Sequence, residues 1–308
     1  MAIVISKADP AYDEAFLFGA SVAFGVFDGV HEGHRFIIGE AANTARESGG
    51  RSAVITFDID PDEIFAAGRL KKLMTNEVRI AKLAELDVDA VVVLPFSREF
   101  AAQSPEDFLD ACFGAGAPAH IHIGSDFHFG RKAAGNVESL KKWGAVRGME
   151  VHGHELLAEG GVPVTATRIR GLLVEGNPRA AAELLGRPYT LTGTVRPGRG
   201  AGHDFGFATA NLEVAPELLA IGEGVYACYA VVGGERFKAA VNVGIPATFA
   251  DTAKENIEVH ILDFDRDIYG QSIEVEFIEW LRPMRAFDST DELIATVMGN
   301  IAWVRENL

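Results

Sequence analysis

The chain has 308 residues, 48% of them hydrophobic, and a formal net charge of -16: enough for two domains with separate cores, which excludes wholesale disorder. That charge argues against nucleic acid and anionic membranes as partners, so an anionic ligand must be gripped by local Arg, Lys and backbone N–H groups. Two distant cysteines without CxxC spacing argue against a disulfide framework or a zinc site, and neither a basic-then-apolar leader nor an apolar run of ~20 residues is present, so a soluble cytoplasmic protein is expected.

In chain order, 21–25 (SVAFG) reads as a buried strand, followed by a turn and a helical stretch over 34–50. Then come strand 52–57 (SAVITF), helix 76–86, strand 89–94 (DAVVVL), helix 104–113 and strand 120–124 (HIHIG). Ser104 and Pro105 suit the N-cap and first position of their helix. This alternation predicts a Rossmann-like parallel sheet with helices on both faces and ligands at the carboxyl ends of its strands. Two short helices follow, over TRIRGLLVEG and PRAAAELLG. From Tyr189 the chain turns strand-rich, with 189–195, 224–232, 236–243, 256–264 and 272–280 separated by glycine turns, which predicts an antiparallel barrel. Ser289 and Glu292 have capping-box spacing before a closing helix that runs to Val304. The boundary is expected near Gly186–Tyr189, giving domains 1–186 and 187–308.

The densest chemical signal is GVFDGVHEGH (25–34), at the end of the first strand and the start of a helix. Gly33 lets backbone approach a ligand, the helix start offers free N–H groups, and His31 and His34 add two donors. Such a turn can hold a triphosphate and stabilise charge on phosphorus during transfer. Taken alone, it is equally an ordinary strand–turn–helix with surface histidines. Thr167, Arg168 and Arg170 stand in VTATRIR (164–170), where hydroxyl and guanidinium groups suit phosphate; in isolation they are an N-cap with solvated arginines.

These segments resemble, in order, those of the bacterial bifunctional riboflavin kinase/FMN adenylyltransferases, members of the nucleotidylyltransferase superfamily. FDGVHEGH resembles the superfamily signature. ITFDIDP (55–61) resembles TF-x-PHP, GSDFHFGRKAAGNVESL (124–140) resembles GxDFxFG-x(3)-G, and VTATRIR resembles SSTRIR. The resemblance implies that FMN attacks the α-phosphorus of ATP, releasing FAD and pyrophosphate. It implies that His31, His34 and Arg168 act on the phosphates, and that Gly25, Phe27, Asp28, Gly29, Gly33, Thr167 and Arg170 help bind nucleotide and flavin. Asp126 and Phe127 would line the substrate site. Phe57, Phe127 and Phe129 would touch a flavin or adenine ring, or belong to the core. Asp60 departs from the motif by replacing its histidine. An anion there weakens phosphate binding unless it holds Mg²⁺ or points away.

PGRGAGHDFGFATANLEV (197–214) is glycine-rich, and Gly198, Gly200 and Gly202 suit backbone approach to phosphates. The segment resembles the riboflavin kinase motif G-x(4)-GFPTANL. That resemblance implies Phe207 at the nucleotide or flavin site and Thr209 and Asn211 at a Mg²⁺–nucleotide site; the oxygen ligands favour a hard ion, with Mn²⁺ and Zn²⁺ left as alternatives. AVNVGIPATF (240–249) resembles NIG-x-RPTF, and IEVHILDFDRDIYG (257–270) resembles the family's E-x-H-x(2)-DF segment. Glu258 then becomes the base that takes the ribityl hydroxyl proton as ATP is attacked. On pattern alone it is an outward-facing acid of an alternating strand. Ala208 replaces the motif's proline, and Pro246 stands where an arginine is expected. The implied protein uses riboflavin, FMN, FAD and ATP, and a homo-oligomer is compatible with it. Two other readings remain: an adenylyltransferase with a degenerate kinase domain, and a non-catalytic flavin or nucleotide sensor.

Overall fold

The computed structural model describes residues 1–65, 68–114, 116–197, 208–244 and 256–308. The chain divides into two compact units, Met1–Ala166 and Thr167–Leu308.

In the first unit the strands are β1 (Ile3–Ser6), β2 (Ser21–Phe24), β3 (Ser52–Phe57), β4 (Ala90–Leu94), β5 (His120–Gly124) and β6 (Glu150–His154). All neighbours pair in parallel, in the order β1-β4-β3-β2-β5-β6. Every residue of β2, β3 and β4 is buried, as expected for parallel strands covered on both faces. The helices are α1 (Glu32–Ser48), α2 (Pro61–Phe65), α3 (Asn76–Ala84), α4 (Arg98–Ala101), α5 (Pro105–Phe113) and α6 (Val137–Ala145). One face of the sheet packs a phenylalanine-rich core including Phe24, Phe57, Phe108 and Trp143. The other packs Ile37 and Ile38 of α1 with Leu83 of α3. A two-stranded hairpin, β7 (Ala158–Glu159) with β8 (Val162–Pro163), follows. The strands β1 and β6 escape a reading of the sequence. β1 is short and mostly exposed, and EVHGH lacks the run of β-branched residues that marks the centre of the sheet.

The second unit carries α7 (Ala166–Val174), α8 (Pro178–Leu185) and the strands β9 (Tyr189–Arg196), β10 (Ala210–Val214), β11 (Gly224–Val232), β12 (Glu235–Gly244), β13 (Asn256–Ile261) and β14 (Ser272–Arg282), then α9 (Thr290–Asn307). The strands close an antiparallel barrel in the order β10-β13-β12-β11-β14-β9, with β10 also pairing β9. Alternation places one side chain in two inside, as in β9, where Tyr189, Leu191, Gly193 and Val195 are buried. α8 packs on the barrel, with Arg179 paired to Glu279 of β14. Ser104 and Ser289 cap α5 and α9 as their sequences indicate. The return half of the α9 box differs: Glu292 accepts from Asp288 N at 3.1 Å, not from the cap residue.

Candidate active sites

β2 lies between β3 on one side and β5 on the other, so the strand order reverses around it. The loop leaving its carboxyl end therefore sits at the crevice where open α/β sheets bind ligands, and that loop is GVFDGVHEGH. It is a contorted turn, with φ of +63° at Phe27, +78° at Gly29 and +40° at Val30. Left-handed backbone at non-glycine residues costs about 1–2 kcal/mol each, so the turn must be held. The buried Asp28 carboxylate accepts from Leu73 N at 3.2 Å. A Cβ on Gly25 would stand 3.0 Å from the Phe27 ring, so any side chain there would have to push the ring aside. A Cβ on Gly33 would stand 3.2 Å from the His31 ring and from Val164 O, which places the approach to VTATRIR against the turn.

The sequence suggests that the helix starts near His34. It begins two residues earlier, at Glu32, with His31 as its N-cap: His31 Nδ1 accepts from His34 N at 3.3 Å. Because Nδ1 accepts, a neutral His31 carries its proton on Nε2, making that nitrogen a donor. The two imidazoles stack at 3.5 Å. Part of the His34 ring reaches the surface, but its Nδ1 is buried with no hydrogen-bond partner among the described residues. Burial first, then the neighbouring His31 and Arg79, hold the His34 pKa well below 6.5. His34 is thus a neutral imidazole at neutral pH.

Sequence reasoning missed Arg79. It is 1% exposed and sits on the apolar face of α3, one turn before the buried Leu83. A charge in that stripe is the signal that could have found it. Its guanidinium donates to Val26 O (2.8 Å), Thr56 Oγ1 (2.5 Å), Phe57 O (2.7 Å) and Asn76 Oδ1 (3.1 Å), tying the ends of β2 and β3 together. Asp60 is also buried and accepts from Asp62 N at 2.9 Å, capping α2. Burial, then nearby Asp28, raises its pKa, and Arg79 opposes the rise. The acid at the motif's histidine position is therefore a helix cap in the field of an arginine.

Beside the turn a cavity of about 610 Å³ opens at the carboxyl ends of β3, β4 and β5. Phe57, Phe96, Phe108, Phe127 and Phe129 supply an aromatic wall, and Arg98, Arg131 and Lys132 a basic rim. Phe57 is both core and wall, at 2% exposure. Asp126 is exposed and stands outside the cavity wall. Thr167 is exposed and Arg168 and Arg170 are half-buried, in the first turns of α7.

In the barrel, Asn211 of β10 stands opposite Glu258 of β13, and Glu258 opposite Asn242 of β12. The row continues through Val225 of β11 to Arg282 of β14. The intervening positions Leu212, Ile257, Val259, Val241 and Val243 are buried, so the polar row occupies the outer face of the barrel. There Thr209, Asn242, Glu258, Arg282 and Arg285 line a cavity of about 280 Å³ together with Phe287 and with Leu293 and Val297 of α9. Burial and nearby Arg285 lower the Arg282 pKa, and its Nε is buried without a hydrogen-bond partner among the described residues. Thr209 also borders a second cavity of about 260 Å³, with Arg266 and Tyr269. His260 donates from Nδ1 to Ala208 O at 2.8 Å, pinning the residue that replaces the motif's proline. Sequence reasoning missed Asn242, His260, Arg282 and Arg285, which converge only through barrel pairing. Gly198, Gly200, Gly202, Phe207 and Pro246 lie outside the described residues.

A family model for FAD synthetase matches residues 14–168, and one for riboflavin kinase matches 185–308. A bifunctional riboflavin kinase/FMN adenylyltransferase of Listeria monocytogenes is 36% identical over 89% of this chain and 88% of its own. This chain belongs to the bifunctional riboflavin kinase/FMN adenylyltransferase family. The member of that family from Escherichia coli K12 is 32% identical, covering 94% and 92% of the two chains. A crystal structure from Streptococcus pneumoniae, described as a macrolide-efflux protein, matches 99% of both chains with a TM-score of 0.84 and 27% identity. Among the described residues of this family member, no helix is long and apolar enough to cross a membrane.

Proposed function

We propose that the chain performs two successive ATP-dependent transfers, phosphorylating riboflavin to FMN at the barrel and adenylylating FMN to FAD at the parallel sheet. The observation that carries this reading is the register Asn211–Glu258–Asn242 across three strands, of which Glu258 and Asn242, with Thr209, line one cavity. Glu258 takes the proton of the ribityl 5′-hydroxyl as its oxygen attacks the γ-phosphorus, and ADP leaves. Thr209 borders two cavities, one on each side, which suits a residue between acceptor and nucleotide. The donors here are hydroxyl, amide and carboxylate oxygens, which fit Mg²⁺. Thr209 and Asn211 would hold it, and when bound it would neutralise phosphate charge.

In the second reaction an FMN phosphate oxygen attacks the α-phosphorus of ATP and pyrophosphate leaves. The imidazoles of His31 and His34, the backbone at Gly33 and the amino end of α1 hold the ATP phosphates. The aromatic cavity takes the flavin ring. Arg168, with Thr167 and Arg170, is assigned to phosphate by its chemistry and its motif, so the adenylyl-transfer domain is taken to extend through α7 and α8 to Gly186. The negative charge and the absence of nucleic-acid features favour a cytoplasmic enzyme without membrane or nucleic-acid partners.

The test supplies one flavin at a time with ATP and Mg²⁺. Riboflavin should release ADP first, and FMN should release pyrophosphate with no ADP. Pyrophosphate from FMN with no turnover of riboflavin would leave a single-activity adenylyltransferase, and binding of both without turnover would leave a sensor.

A further inference from the structure

β5 and β6 carry histidines at alternate positions, in HIHIG and EVHGH. Their parallel register sets His120 opposite Glu150, His122 opposite His152 and Gly124 opposite His154. Strand periodicity puts these five polar side chains on one face, while Ile121 and Ile123 enter the phenylalanine core on the other. The polar face borders α1, whose Phe36 ring meets His154 edge-on at 5.7 Å.

At the amino end of this ladder three side chains converge, and one ligand atom from each lies within 4.8 Å of the other two. His120 Nδ1 lies 3.2 Å from His152 Nε2 and 3.6 Å from Glu150 Oε2, and His152 Nε2 lies 3.8 Å from Glu150 Oε1. A tetrahedral ion with bonds of about 2.0–2.1 Å has ligand–ligand edges of about 3.3–3.4 Å. The triangle needs only small side-chain adjustments to match that geometry. Two imidazole nitrogens and one carboxylate are also the donor set that borderline divalent cations select. Without an ion, a single proton joins the two imidazoles; a cation replaces that proton and draws in the carboxylate. His122 supports the ligands: it is 2% exposed, stacks on His152 at 4.4 Å and shares a hydrogen bond with His154 at 2.9 Å.

We propose that His120, Glu150 and His152 form a binding site for one divalent cation of the zinc class. The site lies at the amino end of the parallel strands, whereas the His31–His34 turn follows the carboxyl end of β2. It is therefore separate from the adenylyl-transfer residues, and it clamps the edge strand β6 to β5. The remaining coordination position is open to water.

The test uses the full-length protein, stripped with a chelator and titrated with Co²⁺ in excess Mg²⁺, which occupies oxygen-ligand sites. The visible d–d absorption reports nitrogen ligation, and thermal unfolding with added Zn²⁺ reports the clamp. One saturable equivalent and a raised Tm are expected. Glu150→Gln changes an exposed side chain and should weaken binding about 10-fold or more. His152→Ala should abolish the band. If His152→Ala loses its fold by circular dichroism, Glu150→Gln and His120→Gln decide. No saturable band in the parent protein, or a band unchanged in Glu150→Gln and His120→Gln, overturns the proposal. In that case the ladder is a set of imidazole hydrogen bonds only.

Discussion

His34 shows how much of a residue's chemistry depends on its surroundings. Its identity and spacing from His31 are legible in the sequence. Its neutrality is not, because that follows from burial and from Arg79, which arrives from another helix. The folded-state pKa lies below the unfolded value near 6.5, so on acidification the unfolded chain gains a proton that the folded chain refuses. This contribution to stability is intact above about pH 6.5 and is lost below it, by up to about 1.4 kcal/mol per pH unit. Thermal unfolding between about pH 7.5 and 5.5 should accordingly show a steeper loss for the parent protein than for His34→Gln. Glu258 is the opposite case: the motif names it, and only the barrel shows that Asn211 and Asn242 flank it. Glu258→Gln keeps its shape and removes the base. It should lower kcat for riboflavin phosphorylation by about 10²–10⁴-fold with a smaller change in KM for ATP, measured by ADP release.

Among elements, α3 is legible in the sequence as a helix, yet its main service to the site is not. Arg79 looks like any charge in a periodic segment until the fold closes around it and four acceptors claim its donors. Arg79→Met should destabilise the protein by about 3–5 kcal/mol in urea unfolding, because it removes a buried cation that interacts with the buried acids Asp60 and Asp28. Edge strands were the other gap. β1 and β6 gain their strand character from pairing with β4 and β5, not from their own composition. α9 was legible through its capping signal, although the Glu292 side chain reaches Asp288 instead.

At the scale of the whole molecule, the change from strand–helix alternation to short strands marks two architectures in the sequence itself. Barrel closure was not legible: β9 must meet both β10 and β14, pairings set by sheet curvature rather than local pattern. The residues proposed to be central to the two reactions, His34 and Glu258, lie in different compact units. Damage to one should therefore leave the other working. The most direct measurement feeds riboflavin or FMN, with ATP and Mg²⁺, to His34→Ala and Glu258→Gln and separates the products by chromatography. His34→Ala should carry riboflavin to FMN and stop, with FAD formation down by about 10²-fold or more. Glu258→Gln should leave riboflavin untouched and still turn FMN into FAD. A single substitution that stops both riboflavin phosphorylation and the conversion of supplied FMN to FAD, or His34→Ala making FAD at the parent rate, would contradict the account.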